Sequence, residues 1–190
     1  MPTIIFITHP EVAVDPGKPV PRWHLSEAGI ARMRVFADGP VVAGVRRVVA
    51  SDECKAIEAA GVLAGRFGLP VEVHSGLREN DRSATGFVPP AEFERMADTF
   101  FARPEESIRG WERAVDAQAR VVAALQDILA GPIDGDVAIV AHGAVGTLLA
   151  CRLAGLQIDR RHDQPFQGHW IAFDATDRVP HGGWTPIAPR

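Results

Sequence analysis

The chain has 190 residues, 46% hydrophobic and 23% charged, the balance of one globular domain with a sizeable core rather than a disordered or fibrous chain. Its 20 basic and 24 acidic side chains leave a formal charge of −4, which excludes the sequence-wide basic field that draws proteins to nucleic acid or anionic membranes. The two cysteines, Cys54 and Cys151, form no CxxC pair, which argues against a disulfide scaffold or zinc knuckle and fits a reducing compartment. The start, Met1-Pro2-Thr3, has no positive n-region, and the apolar run behind it is too short for a signal peptide. No stretch reaches the roughly 20 apolar residues of a membrane span. The expectation is a soluble, cytoplasmic protein with no nucleic-acid or membrane partner, its oligomeric state left open by the absence of heptads.

Ile4 to Ile7 is a continuous, β-branched apolar run, the pattern of a strand buried on both faces. A loop with four prolines follows from Pro10 to Pro21. Ser26 reads as the N-cap of a helix that ends at about Asp38-Gly39. Val45 to Ala50 is a second strand. Ser51 is placed to cap a helix from about Glu53 to Phe67, stopped by Gly68 and Pro70. Val71 to Val73 is a short third strand. Residues 78–90 are polar and glycine-containing, a long loop of the kind that commonly serves a site. Helices follow over about Ala91 to Phe101 and Gly110 to Ala130, the latter with Trp111, Val115, Val122, Leu125 and Leu129 near helical spacing. Val137 to Ala141, Ala144 to Ala154 and His169 to Phe173 read as strand, helix and strand.

The alternation predicts an α/β fold, a three-layer sandwich with a mostly parallel sheet flanked by helices. It is read as one domain over 1–190 with a small helical insertion at about 76–110. Three strands end in polar residues: Thr8-His9-Pro10, Ser51-Asp52-Glu53 and His142-Gly143. In an open parallel sheet, ligands sit outside the carboxyl ends of the strands. Two histidines there, beside helix N-termini, make a pocket for an anion, although a lone histidine after a strand is ordinarily a hydrogen-bonded loop residue. His162, Asp163 and His169 fit no standard metal-ligand spacing, and neither a P-loop nor a dinucleotide fingerprint is present. No metal or cofactor is therefore expected.

These residues resemble, in order, the motifs of the histidine phosphatase superfamily, the phosphoglycerate-mutase-like fold. Thr8-His9-Pro10 looks like its Arg-His-Gly, and Leu25-Ser26-Glu27-Ala28-Gly29 like its Leu-Thr-x-x-Gly helix start. Ser51-Asp52-Glu53-Cys54-Lys55-Ala56 is similar to its Ser-x-x-x-Arg-Ala, Leu77-Arg78-Glu79 to its Leu-x-Glu, and His142-Gly143 to its second His-Gly.

The resemblance implies a phosphatase acting on a small or medium phosphorylated molecule (a phosphomonoester, or alternatively a phosphohistidine) or a phosphoprotein, with no metal. His9 would be the nucleophile that forms a phosphohistidine, and Glu79 the general acid and base. His142 and Lys55 would balance charge on the transferring oxygens. Thr8, Ser51, Arg82 and Gly143 are further candidates for substrate binding, Ser51 either as a hydrogen-bonding group or merely as a helix cap.

The departures are specific. Thr8 stands where the family has arginine and so carries no charge, Pro10 offers no N–H, and Asp15 stands near a family asparagine. Lys55, one of only two lysines beside Lys18, stands at a second arginine position. Arg22, Arg78 and Arg82 are the loop cations that could compensate. The alternative reading is a weak or inactive member that binds a phosphorylated ligand or partner.

Overall fold

In the computed structural model, which describes residues 2–190, the opening apolar run forms β1 (Thr3–Thr8) inside a six-stranded sheet. β2 (Val45–Ala50), β3 (Val71–Val73), β4 (Asp136–Ala141), β5 (His169–Asp174) and β6 (Thr185–Pro186) complete it in the order β3-β2-β4-β1-β5-β6. β3, β2, β4 and β1 run parallel, while β5 pairs antiparallel with β1 and β6 antiparallel with β5. The expected mostly parallel sheet is thus present.

The pleat divides β1 between two cores. Ile4 and Phe6 pack with residues of α4 (Ala114–Leu129) and α5 (Gly143–Leu153), and Ile5 and Ile7 with residues of α1 (Glu27–Ala37) and α2 (Cys54–Phe67). All four side chains are buried, each contributing about 1.5–3 kcal/mol of apolar burial. The result is a helix–sheet–helix sandwich. The 76–110 segment holds a long loop, α3 (Pro90–Ala102, with its proline in the first turn) and a single 3-10 turn at Ile108–Gly110. No helix among the described residues is long and apolar enough to cross a membrane.

Several local expectations shift. The buried face of α4 is Ala114, Ala117, Val121, Ala124, Leu125 and Ile128, so alanines rather than the larger apolar residues define it. Trp111 lies before the helix, buried against Phe93 and Phe100. Ser26 caps α1 as expected, its hydroxyl accepting from Gly29 N at 3.1 Å. Gly68 ends α2 with a φ of 66°.

Register fixes where the polar strand ends meet. Thr8 pairs with Ala141 and Ala50 with Val140. The ladder runs one residue further on each side, with His9 N donating to Ala141 O and Ser51 N to Val140 O, both at 3.0 Å. Residues 9, 51 and 142 therefore share one edge of the sheet.

Candidate active site

His9 leaves β1 with its ring buried apart from 8% of its surface, and it lines the main cleft. Its Nδ1 lies 2.9 Å from the Pro10 carbonyl oxygen. A carbonyl can only accept, so Nδ1 carries the proton and Nε2 holds the lone pair. Burial, reinforced by the Lys55 charge, lowers the His9 pKa to about 4, which keeps the ring neutral at pH 7.

The turn after His9 is tied to the start of α1. Ser26 donates through N (2.9 Å) and Oγ (3.1 Å) to Glu11 O. A Cβ at Gly29 would stand 2.3 Å from that same oxygen, so the glycine of the Leu25–Gly29 motif lets the helix approach this backbone. Buried Arg32 grips both Glu11 carboxylate oxygens at 2.9 and 2.8 Å and donates to the carbonyls of Gln167, Gly168 and Ala188.

His142 is the N-cap residue of α5 and fully buried. Its Nε2 lies 2.8 Å from Ser51 Oγ and 3.5 Å from Glu53 Oε1. Its ring stands 5.2 Å from that of His9, edge-on at 70°. Burial pushes its pKa well down against the pull of Glu53, and its buried Nδ1 has no partner. Ser51 neither caps α2, whose N-cap residue is Glu53, nor lines the cleft. Its hydroxyl is taken by His142 and by Glu53 N, at 3.3 Å.

Glu53, part of the polar Ser51-Asp52-Glu53 strand end but not among the site residues the sequence singles out, sits among them. One of its oxygens binds the Lys55 ammonium and the other accepts Glu79 N at 2.9 Å. Lys55 also donates to Val20 O at 3.0 Å. Burial would raise the Glu53 pKa, but His142 and Lys55 outweigh it and hold it at about 2. Lys55 thus lines the cleft with its charge already partnered.

Glu79 stands at the head of α5. Its carboxylate accepts from Ala144 N (3.3 Å), Val145 N (3.1 Å) and Asn80 N (3.2 Å). Burial and the Glu53 charge nevertheless push its pKa up, against Arg82 and these N–H donors. Arg120 on α4 braces this loop from behind, donating to the carbonyls of Gly76, Arg78 and Glu79 while paired to Glu112.

The cleft has a volume of about 530 Å³ and is lined by His9, Lys55, Glu79, Asn80, Arg82 and Gly143, among others. Among the described residues, the Arg82 guanidinium has no hydrogen bond or carboxylate partner; it lies 5.0 Å from the Phe93 ring centroid and 5.6 Å from that of Trp111. Asn80, 5% exposed, has an unpartnered Nδ2. A Cβ at Gly143 would strike Gln164 Nε2 at 2.4 Å, so this glycine leaves room for the glutamine.

Thr8 does not reach the cleft. Its buried hydroxyl donates to Gln164 Oε1 at 2.6 Å and accepts His169 N at 2.9 Å, which makes it a support for Gln164 and β5. Arg78 is paired with Asp52 and Asp15 with Lys18, and Arg22 is exposed; none of the three lines the cleft.

A family model described as histidine phosphatase superfamily (branch 1) matches residues 12–177, beginning just after His9. No curated protein matches the chain by sequence. Among solved structures, a mycobacterial glucosyl-3-phosphoglycerate phosphatase is 20% identical with a TM-score of 0.80, covering 98% of this chain and 99% of that one. Bacillus stearothermophilus YhfR is 20% identical, also with a TM-score of 0.80, covering 95% of each chain. A variant of the Entamoeba histolytica phosphoserine phosphatase in complex with phosphoserine is 16% identical, with a TM-score of 0.78 and 98% coverage of each. At these identities the likeness is one of fold.

Proposed function

Because this chain belongs to the histidine phosphatase superfamily (branch 1), we propose that it hydrolyses a phosphorylated substrate through a phosphohistidine on His9, without a metal. One observation carries this reading: the Pro10 carbonyl fixes the His9 proton on Nδ1, so a neutral Nε2 lone pair is available beside the cleft. In the first step Nε2 attacks phosphorus, the bond to the ester oxygen breaks, and protonated Glu79 gives its proton to that oxygen. In the second, the Glu79 carboxylate takes a proton from water. The resulting hydroxide attacks phosphorus, and the N–P electron pair returns to Nε2.

Arg82 and Asn80 replace the missing arginine as donors to the phosphoryl oxygens. Arg82 supplies a cation without a carboxylate partner, and Asn80 a buried N–H without an acceptor. Both belong to the loop that carries Glu79. Electrostatic stabilisation of this type is the dominant requirement of phosphoryl transfer. His142 acts from behind His9, fixed by Ser51.

The second reading, a phosphoester-binding protein with little or no turnover, is favoured by the Lys55–Glu53 pair, which removes one cation from the site. An assay with an aryl phosphate and acetyl phosphate, in metal-free buffer, separates the two. An acid-labile phosphoenzyme in the wild type, and turnover lost in His9→Ala, support the enzyme. Turnover that survives in His9→Ala would falsify the nucleophile assignment. Phosphoester binding by calorimetry with no turnover of any ester supports the binder.

A further inference from the structure

Resting on the phosphatase reading, we propose that the alcohol part of the substrate is an apolar, ring-sized group and that the substrate carries no anion besides its phosphate. Two separate observations carry this.

The first is the wall of the cleft. Trp23 packs on Phe87 with ring centroids 5.6 Å apart, and Phe93 on Trp111 at 6.0 Å. Both indole N–H groups are already used, Trp23 Nε1 by Asp15 O at 2.8 Å and Trp111 Nε1 by Thr85 Oγ1 at 2.8 Å. At 8% and 2% exposed, Trp23 and Trp111 back this wall and offer no free donor to the hydroxyls of a sugar. Phe87 and Val14, also on the lining, are 38% and 59% exposed. Large apolar side chains left in water around a concave, partly polar site mark a surface that an apolar ligand covers.

The second is the charge of the lining. Of the cations there, Lys55 is paired with Glu53, and Arg160 with Glu94 and Asp98. Of these lining cations Arg82 alone has no carboxylate within ion-pair distance among the described residues, and it matches one phosphate. The same lining contains Asp163, which has no cation within ion-pair distance among the described residues, and the ion-paired Glu11 and Glu94. A second carboxylate or phosphate on the substrate would lose hydration beside Asp163 with no unpaired cation left to receive it.

The test uses alkyl esters, so that leaving-group reactivity is matched: 2-phenylethyl phosphate against glucose 6-phosphate and 3-phosphoglycerate. The expected kcat/KM is higher for 2-phenylethyl phosphate by about 100-fold, the range that apolar pocket contacts supply. In Phe87→Ser, the ratio of its kcat/KM to that of acetyl phosphate falls by about tenfold. A kcat/KM for either polar ester equal to or above that of 2-phenylethyl phosphate overturns the inference, as does an unchanged ratio in Phe87→Ser. If no ester is turned over, the phosphatase reading fails and calorimetry on the wild type decides the inference separately. There, 2-phenylethyl phosphate binding at least about tenfold tighter than 3-phosphoglycerate supports it, and equal or weaker binding overturns it.

Discussion

Lys55 and Glu53 form an ion pair with 4% and 7% of their side chains exposed, next to the two site histidines and two positions apart on the chain. The Lys55 ammonium is therefore matched by an acid two residues before it. The pair changes what the site offers an anion. A lone buried ammonium would attract phosphate strongly, whereas a neutralised one contributes mainly shape and hydrogen bonds.

Glu53→Gln is expected to act in opposite directions on stability and on binding. It leaves the Lys55 charge buried and unpaired, at a cost of about 3–5 kcal/mol measurable by urea unfolding. It also frees that charge toward the cleft, so inorganic phosphate should bind about tenfold more tightly by calorimetry. Weaker phosphate binding in a folded variant would show that Lys55 does not face the anion.

Arg82→Ala should lower kcat/KM for phosphate esters by about 10²–10³, the effect of losing one charged donor to the transferring oxygens. Added guanidinium ion should restore part of the loss in a saturable way, which a purely structural role of Arg82 would not permit. Unaltered kinetics would remove Arg82 from the site.

Glu79→Gln should separate substrates by leaving group. Esters of alkyl alcohols need the departing oxygen protonated and should lose about 10²–10⁴ in kcat, while p-nitrophenyl phosphate, whose leaving group is stable as an anion, should lose far less in the first step. Because the Glu79 pKa is raised, its protonated form persists above the usual carboxylate range. The alkyl-ester rate should fall as pH rises through that raised value. Equal losses for both ester types would argue against an acid role.

The contribution of the buried histidines to stability should rise with pH between about 4 and 6.5, against an opposite contribution from Glu79, whose pKa is raised. Burial and the Lys55 charge lower the His9 pKa from its ordinary 6.5 to about 4 in the folded protein, so between those values the unfolded chain binds the extra proton. The stabilisation is complete above the unfolded value and is lost as pH falls through the folded one. For His9 the difference is on the order of 3 kcal/mol, and His142 shifts in the same direction. Urea midpoints at pH 4.5 and 7 should differ accordingly, and His9→Gln should flatten the dependence. An unaltered slope in that variant would locate the effect elsewhere.

Gly29→Ala tests the link between α1 and the turn after His9. Alanine in a helix interior ordinarily adds up to about 1 kcal/mol. Here its Cβ would meet Glu11 O at 2.3 Å, so a loss of about 1–3 kcal/mol is expected, visible as a lower Tm. A higher Tm would mean that the turn yields freely.

The strand-end histidines were legible because β-branched runs, and the polar residues that end them, are local signals. Parallel-sheet register then brings residues 9, 51 and 142 to one edge. Lys55 was legible as a position but not as half of a pair, because Glu53 looks like any acid at a helix start. Ser51 misled for a related reason: the sequence pattern suits a cap, and its actual partner, His142, lies 91 positions away. Arg32 and Arg120 gave no signal at all, since each acts on backbone carbonyls brought close only by tertiary packing. The buried face of α4 was displaced because Ala114, Ala117 and Ala124 carry little hydropathy contrast. β6 has two residues, too few for any periodicity.

The strand order also sets when in the life of the chain chemistry becomes available. β1 has two strand neighbours, β4 and β5, and β4 begins only at Asp136. Until that segment is synthesised, the strand bearing His9 has no partner in the sheet, and His142, Ala144 and Val145 do not yet exist to complete the site. The two halves of the site are joined by long-range contacts, Ile4 pairing with Val137 and Thr8 with Ala141, the kind that slows folding. A chain cut before Asp136 therefore holds His9 without the groups that surround it in the folded protein, and those groups meet only where β4 lies between β2 and β1.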